Sequence, residues 1–211
     1  MRKAFARSHV GRSGLGRVVA VLLAASLIAG CLGRNAAKPA AVLDFGPALA
    51  QDAAPALALR ALDVAAPSWL DTPTLQYRLA YLDPARRFAY AESRWAAAPG
   101  ELLERGLRRA LLGNAAGAAG CRLRIELDEF IHTFDSATAS HAEMALRATL
   151  LSAQAERMLA RKAFRLSEPA ASADPRGGAE ALGRSAAAAA TALQSWLSTQ
   201  PAEIGKLCSS V

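Results

Sequence analysis

The sequence predicts an α+β (α/β-like) fold: a single domain in which a mostly antiparallel or mixed sheet packs against two main helices. Three observations lead there. Residues 75–82 and 121–134 alternate apolar and polar side chains with the period of a strand. Two other stretches, around 99–111 and 182–197, place their apolar residues at helical spacing. The elements also fall in the order strands, helix, strands, helix.

The first strand is expected in Ala56 to Val64, an apolar run bounded by Pro55 and Pro67. A second follows in Leu75 to Leu82, where Tyr77, Leu79 and Tyr81 alternate with Gln76, Arg78 and Ala80. Asp83-Pro84 opens a turn, and Arg87 to Trp95 returns as the other arm of a hairpin. Pro99-Gly100-Glu101 starts a helix, with proline in the first turn and an acid near the positive end of the helix dipole. Leu103, Leu107, Ala110 and Leu111 form its apolar face, and Gly113-Asn114 ends it.

Cys121 to Phe134 is the clearest strand. Cys121, Leu123, Ile125 and Leu127 face one way, but Phe130 and Phe134 are out of phase with them. One extra residue near Asp128-Glu129 restores the phase, so a β-bulge is expected there. Residues 141–166 carry two signals. Alanine, glutamate and arginine favour helix, whereas the alternation of Met144, Leu146, Ala148 and Leu150 favours two strands joined near 152–156. The strand reading is preferred and the helical one stays open. After Asp174-Pro175, Leu182, Ala186, Leu193, Trp196 and Leu197 mark a second helix that ends before Pro201.

The first 30 residues are of another kind. Arg2, Lys3, Arg7, Arg12 and Arg17 precede an uncharged run, Val18 to Gly30, that is too short for the roughly 20 apolar residues of a membrane-spanning helix. This is the pattern of a secretory signal. Its end, Ile28-Ala29-Gly30-Cys31, resembles the lipobox of bacterial lipoproteins, which implies cleavage before Cys31 and acyl chains on that cysteine. The alternative is a plain signal with an incidental cysteine. The organisation expected is therefore a signal peptide at 1–30, a lipidated tether at 31–40 and one domain at 41–211. Nine residues of tether span at most about 30 Å, which keeps the domain close to its membrane.

Removing the signal changes the meaning of the charge. The whole chain is +7, but five of its 25 basic residues lie in the signal, leaving 20 against 18 acidic residues. No basic block remains to follow a phosphate backbone, so no nucleic-acid partner is expected. Two or more acyl chains hold a protein stably at a leaflet. Leu32 after the cysteine favours, by resemblance to a bacterial sorting rule, the periplasmic side of the outer membrane over the inner one.

Trp69-Leu70-Asp71, Leu75-Gln76-Tyr77-Arg78-Leu79, Ser93-Arg94-Trp95-Ala96 and Leu127-Asp128-Glu129-Phe130 follow one another along the chain. Their order and spacing resemble the ABC-type transport auxiliary lipoproteins, the group containing PqiC-like proteins. The resemblance implies a non-catalytic subunit that works beside an MCE-domain protein, a permease and an ATPase to move lipids between the inner and outer membranes. It also makes homo-oligomerisation an expectation. Leu43-Asp44-Phe45-Gly46-Pro47 departs from the family, which often has a tyrosine-containing strand there. Trp69, Asp71, Tyr77, Arg78, Arg94, Trp95, Asp128 and Glu129 become candidate contacts to a partner or lipid. Five of them have a plainer reading: Trp69 and Trp95 as core or edge aromatics, Tyr77 and Arg78 as inward and outward residues of one strand, Arg94 as a solvated charge. Two rival functions are a periplasmic lipid-binding carrier and a structural lipoprotein of envelope assembly.

Catalysis finds no support. Only His132 and His141 remain in the mature chain, and both read as polar surface residues. Glu129 and His132 have a metal-compatible spacing on a helix, but a strand sends them to opposite faces. No metal, cofactor or catalytic residue is expected beyond the lipid on Cys31. Cys121 and Cys208 form an even pair in an exported chain and are candidates for a disulfide, with two buried thiols as the alternative.

Overall fold

The computed structural model describes residues 39–46, 57–112 and 119–209. Cys31, the signal 1–30 and the Gly113-Asn114 helix stop lie outside the described residues. The strands are β1 (Ala41–Leu43), β2 (Leu59–Ala65), β3 (Thr74–Leu79), β4 (Phe88–Trp95), β5 (Cys121–Phe134), β6 (Ser140–Leu151) and β7 (Met158–Pro169). The helices are α1 (Pro99–Leu112), between β4 and β5, then α2 (Pro175–Ser198) and α3 (Ala202–Ser209) at the end.

All seven strands belong to one mixed sheet in the order β1-β4-β3-β5-β6-β7, with β2 also paired to β5. β1 runs parallel to β4, and β2 and β3 both run parallel to β5. The hairpin partners β3/β4, β5/β6 and β6/β7 are antiparallel. β5 is the spine. Its first half pairs with β2 and its last three residues with β3, while β6 follows its whole length on the other side.

The predicted bulge is present: Leu127 pairs with Leu146 and Glu129 with Ala145, so Asp128 is the extra residue. Residues 141–166 form two strands, and the helical reading is discarded. Pairing with β5 and β7 buries Ala142, Met144, Leu146, Ala148 and Leu150 on one face, which local helix propensity cannot match. The strand expected at 75–82 stops at Leu79, because the Leu79 carbonyl accepts from the N–H groups of Leu82 and Asp83 and closes a tight turn. Two short elements went unpredicted, β1 and α3.

One face of the sheet carries the helices. Leu103, Leu107 and Leu111 of α1 and Leu182, Ala186, Leu193 and Leu197 of α2 share a core with Leu62, Leu123, Ile125, Phe130, Met144 and Leu146. Each fully buried leucine contributes about 2 kcal/mol relative to exposure. The start of α2 is fixed by Asp174, whose carboxylate accepts from the Gly177 N–H at 2.8 Å, with Pro175 next in the chain. The other face of the sheet holds charged side chains.

Candidate functional site

The bulge sets the chemistry of the open face. Leu127 and Phe130 both point into the core, so Asp128 and Glu129 between them are turned out together. Each meets arginine from a neighbouring strand. Asp128 receives two hydrogen bonds from Arg147 of β6, at 2.8 and 2.7 Å, and these hold its carboxyl below the usual carboxylate range. Arg147 also contacts Glu126 at 3.0 Å. Glu129 accepts from Arg78 of β3 at 2.9 Å and from Arg87 at 2.6 Å. Arg78 continues to Glu143 at 3.1 Å, and Glu143 accepts from the Thr133 hydroxyl. The side chains of Arg78 and Glu129 are only 15% and 16% exposed. This network ties β3, β5 and β6 together where β3 meets the spine.

Trp69 stands at the edge of this face. A single turn, in which the Pro67 carbonyl accepts from Leu70 and Asp71, buries Leu70 and leaves Trp69 52% exposed. The Trp69 carbonyl is pinned by the Gln76 amide at 2.7 Å, and Gln76 in turn accepts from Arg87. The indole borders an open cleft of about 440 Å³ whose other wall is Glu126, Asp128 and Arg147. An exposed tryptophan beside arginine is a composition common at interface hot spots.

The remaining candidates are dispersed. Asp71 is exposed and lines a separate cleft with Glu101 and Arg105 of α1. Arg94 is exposed on β4 and makes no ion pair among the described residues, in keeping with a solvated charge. Trp95 is 1% exposed and packs edge-on against Phe45 and beside Phe130. It therefore has no surface to offer a partner, because β1 and the core close over it. Tyr77 turns to the helix side and stacks with Phe88 and Tyr90, so it and Arg78 do lie on opposite faces.

His132 corrects an expectation. It is fully buried against α2 instead of lying on the surface, because the bulge shifts even-numbered residues to the helix face. Its Nδ1 lies 2.8 Å from the Tyr90 hydroxyl. Burial pushes the imidazole down to about 4 and the Tyr90 phenol above its ordinary range. This pair was missed by sequence reasoning, as were Arg87, Glu143 and Arg147, which complete the open-face network. His132 is buried, whereas Tyr90 beside it is half-buried. His141 is partly exposed and contacts Asp135 at 2.8 Å.

Cys121 and Cys208 are joined by a disulfide that holds α3 to the start of β5. No group of three metal-ligating side chains occurs among the described residues. No described helix is long and apolar enough to cross a membrane. An open groove of about 790 Å³ lies between β1 and the first turns of α2.

Comparison with known proteins adds the family. Residues 43–194 match the model of the ABC-type transport auxiliary lipoprotein component. A crystal structure of a DUF330-family protein from Xanthomonas campestris superimposes with a TM-score of 0.59 at 20% identity, covering 75% of this chain and 91% of that one. A second crystal structure, of an uncharacterized protein, gives 0.56 at 14% identity, covering 76% and 99%. A putative lipoprotein from Caulobacter crescentus gives 0.39 at 24% identity, covering 47% and 80%. No curated protein matches. The mixed sheet with its helices on one face is thus a fold shared with solved structures, and the family match spans more than two thirds of the sequence. The chain belongs to the ABC-type transport auxiliary lipoprotein family.

Proposed function

We propose that the protein is a non-catalytic docking subunit of an ABC transport system that contains an MCE-domain protein and moves lipids between the inner and outer membranes. Acyl chains on Cys31 hold it at the periplasmic face of the outer membrane, and ATP is hydrolysed by another subunit. Family membership over residues 43–194 carries this reading. The geometry supports a binding role in two ways. The charged groups of the bulge are engaged with one another, and the large side chain held out beside them is Trp69, a contact residue rather than a reactive one. The Trp69 cleft is the docking surface in this reading, and self-association into a ring would present several such clefts at once.

A lipid-carrier role needs an enclosed apolar chamber. Here Ala186, Ala189 and Ala190 of α2 are buried in the core against the strands, and the groove between β1 and α2 is open rather than enclosed. The test is a crosslinked pull-down of the tagged, lipidated protein from membranes, with proteins and lipids identified by mass spectrometry. Recovery of an MCE-domain protein with its permease and ATPase is the expected result. Stoichiometric lipid without those proteins would replace the proposal with the carrier, and neither would leave a structural role in the envelope.

A further inference from the structure

The turn between β3 and β4 holds two apolar side chains in solvent. Leu82 is 69% exposed and Tyr81 is exposed beside it. The turn is well tied. The Leu79 carbonyl accepts from Leu82 and Asp83 at 3.0 and 2.9 Å, Ala80 donates to the Phe134 carbonyl at 3.0 Å, and Asp83 accepts from the Ala85 N–H at 3.1 Å. Solvent gives no return for presenting tyrosine and leucine on a fixed turn. A lipid–water interface does, since a phenol sits at headgroup level and a leucine enters the acyl region. Arg86, exposed with its guanidinium over the Phe88 ring, adds a cation next to the pair.

The path of the chain indicates which end of the domain meets that interface. β1 runs parallel to β4 with Ala41 opposite Ser93, and β4 begins at Phe88 just after the turn. The N-terminal end of β1 therefore points towards Tyr81 and Leu82. Five strand residues separate the level of Ala41 from that of Phe88, about 17 Å. The nine residues between Cys31 and Ala41 span up to about 30 Å, enough to pass the turn and reach a leaflet beyond it. We infer that Tyr81 and Leu82 are seated in the lipid surface to which the chain is anchored. The inference rests on acylation of Cys31. Tethering keeps the local concentration of lipid high, so that even a weak insertion is populated, and it orients the domain with the turn down and the β6–β7 hairpin away from the membrane.

The test uses the full lipidated chain with Leu82→Cys, labelled with a polarity-sensitive dye and reconstituted into vesicles of phosphatidylethanolamine and phosphatidylglycerol, with or without nitroxide-bearing acyl chains. Met158→Cys, at an exposed position at the opposite end of the sheet, is the comparison. The expected result is a several-fold gain in emission at 82 that nitroxide lipid at least halves, with little change at 158. Vesicle flotation reports the anchor separately. A chain that does not float overturns the acylation on which the inference stands. A chain that floats but shows no nitroxide quenching at 82 overturns the inference alone, and brighter emission without quenching would place another copy of the protein, not lipid, over the turn.

Discussion

The Tyr90 hydroxyl lies 2.8 Å from Nδ1 of His132, between the sheet and the first turns of α2. A neutral imidazole suits this setting, with one hydrogen bond between the ring and the phenol. Protonating the ring would place a charge in the core.

Stability should therefore depend on pH in a window set by His132. Burial depresses its folded pKa to about 4 from an ordinary 6.5. Between those values the unfolded chain binds the proton and the folded chain does not, so stability is full above about pH 6.5 and falls as pH drops towards 4. The total loss is on the order of 3 kcal/mol. Asp128 and Asp174 are held below the ordinary carboxylate range, by the Arg147 hydrogen bonds and the Gly177 N–H, and they lose their contribution only at lower pH. Urea midpoints measured from pH 7 to pH 4.5 should slope downward in the native protein and flatten in His132→Gln. An unchanged slope in the variant would assign the effect elsewhere.

A lone histidine in an alternating strand takes the face its parity assigns, and the bulge at Asp128 reverses that parity. The bulge itself was legible, from the phase slip between Leu127 and Phe130, but carrying its consequence on to His132 required knowing which face the helices cover. Gly178 shows the same limit. In a sequence it is a helix defect of about 1 kcal/mol. In the fold, a Cβ there would fall 2.3 Å from Nδ1 of His132, so the absent side chain is the clearance for the ring. Long-range pairing decided what local patterns could not: residues 141–166 are strands because β5 and β7 flank β6, and Trp95 is core because Phe45 returns across it. The site was legible in part. Trp69, Arg78, Asp128 and Glu129 do gather around the open face. Their partners Arg87, Glu143 and Arg147 carry no local signal that distinguishes them from solvated charges.

Glu129 is the hub of the open-face network. Replacing it with alanine leaves Arg78 and Arg87 without their shared carboxylate, and Arg78 is too covered to recover full hydration. The expected cost is about 1.5–3 kcal/mol by urea unfolding, larger than a surface pair provides and smaller than a fully buried one. The double variant Glu129→Ala/Arg78→Met should recover part of it, since removing both partners relieves the uncompensated charge. A loss under about 0.5 kcal/mol would show that the network is solvated and stabilises little.

Cys208 ties the last described helix to the spine. The disulfide to Cys121 spans a sequence separation of 87 residues, for which the chain-entropy model gives roughly 4–5 kcal/mol of stabilisation. Cys208→Ser, or reduction of the native protein, should lower the unfolding midpoint accordingly and expose α3 to proteolysis before the rest of the domain. An equal midpoint with and without reductant would mean that packing of α3, not the covalent bond, holds the C-terminal segment.

Trp69 is the residue at which folding and the proposed docking can be told apart. Its indole is more than half exposed, and the turn beneath it is secured by the buried Leu70 and by main-chain groups that a substitution at 69 leaves in place. Trp69→Ser should therefore change unfolding stability by no more than about 0.5 kcal/mol. Loss of an anchoring tryptophan typically costs 2 kcal/mol or more at an interface, roughly a thirtyfold fall in affinity. The crosslinked recovery of an MCE-domain protein should fall by that order in Trp69→Ser, with Arg94→Ser, exposed on β4 and without an ion pair among the described residues, as a control expected to retain it. Full recovery in the Trp69 variant would move the docking surface off the bulge cleft. A large drop in stability would instead make Trp69 a structural residue, and the turn from Pro67 to Asp71 part of the core it borders.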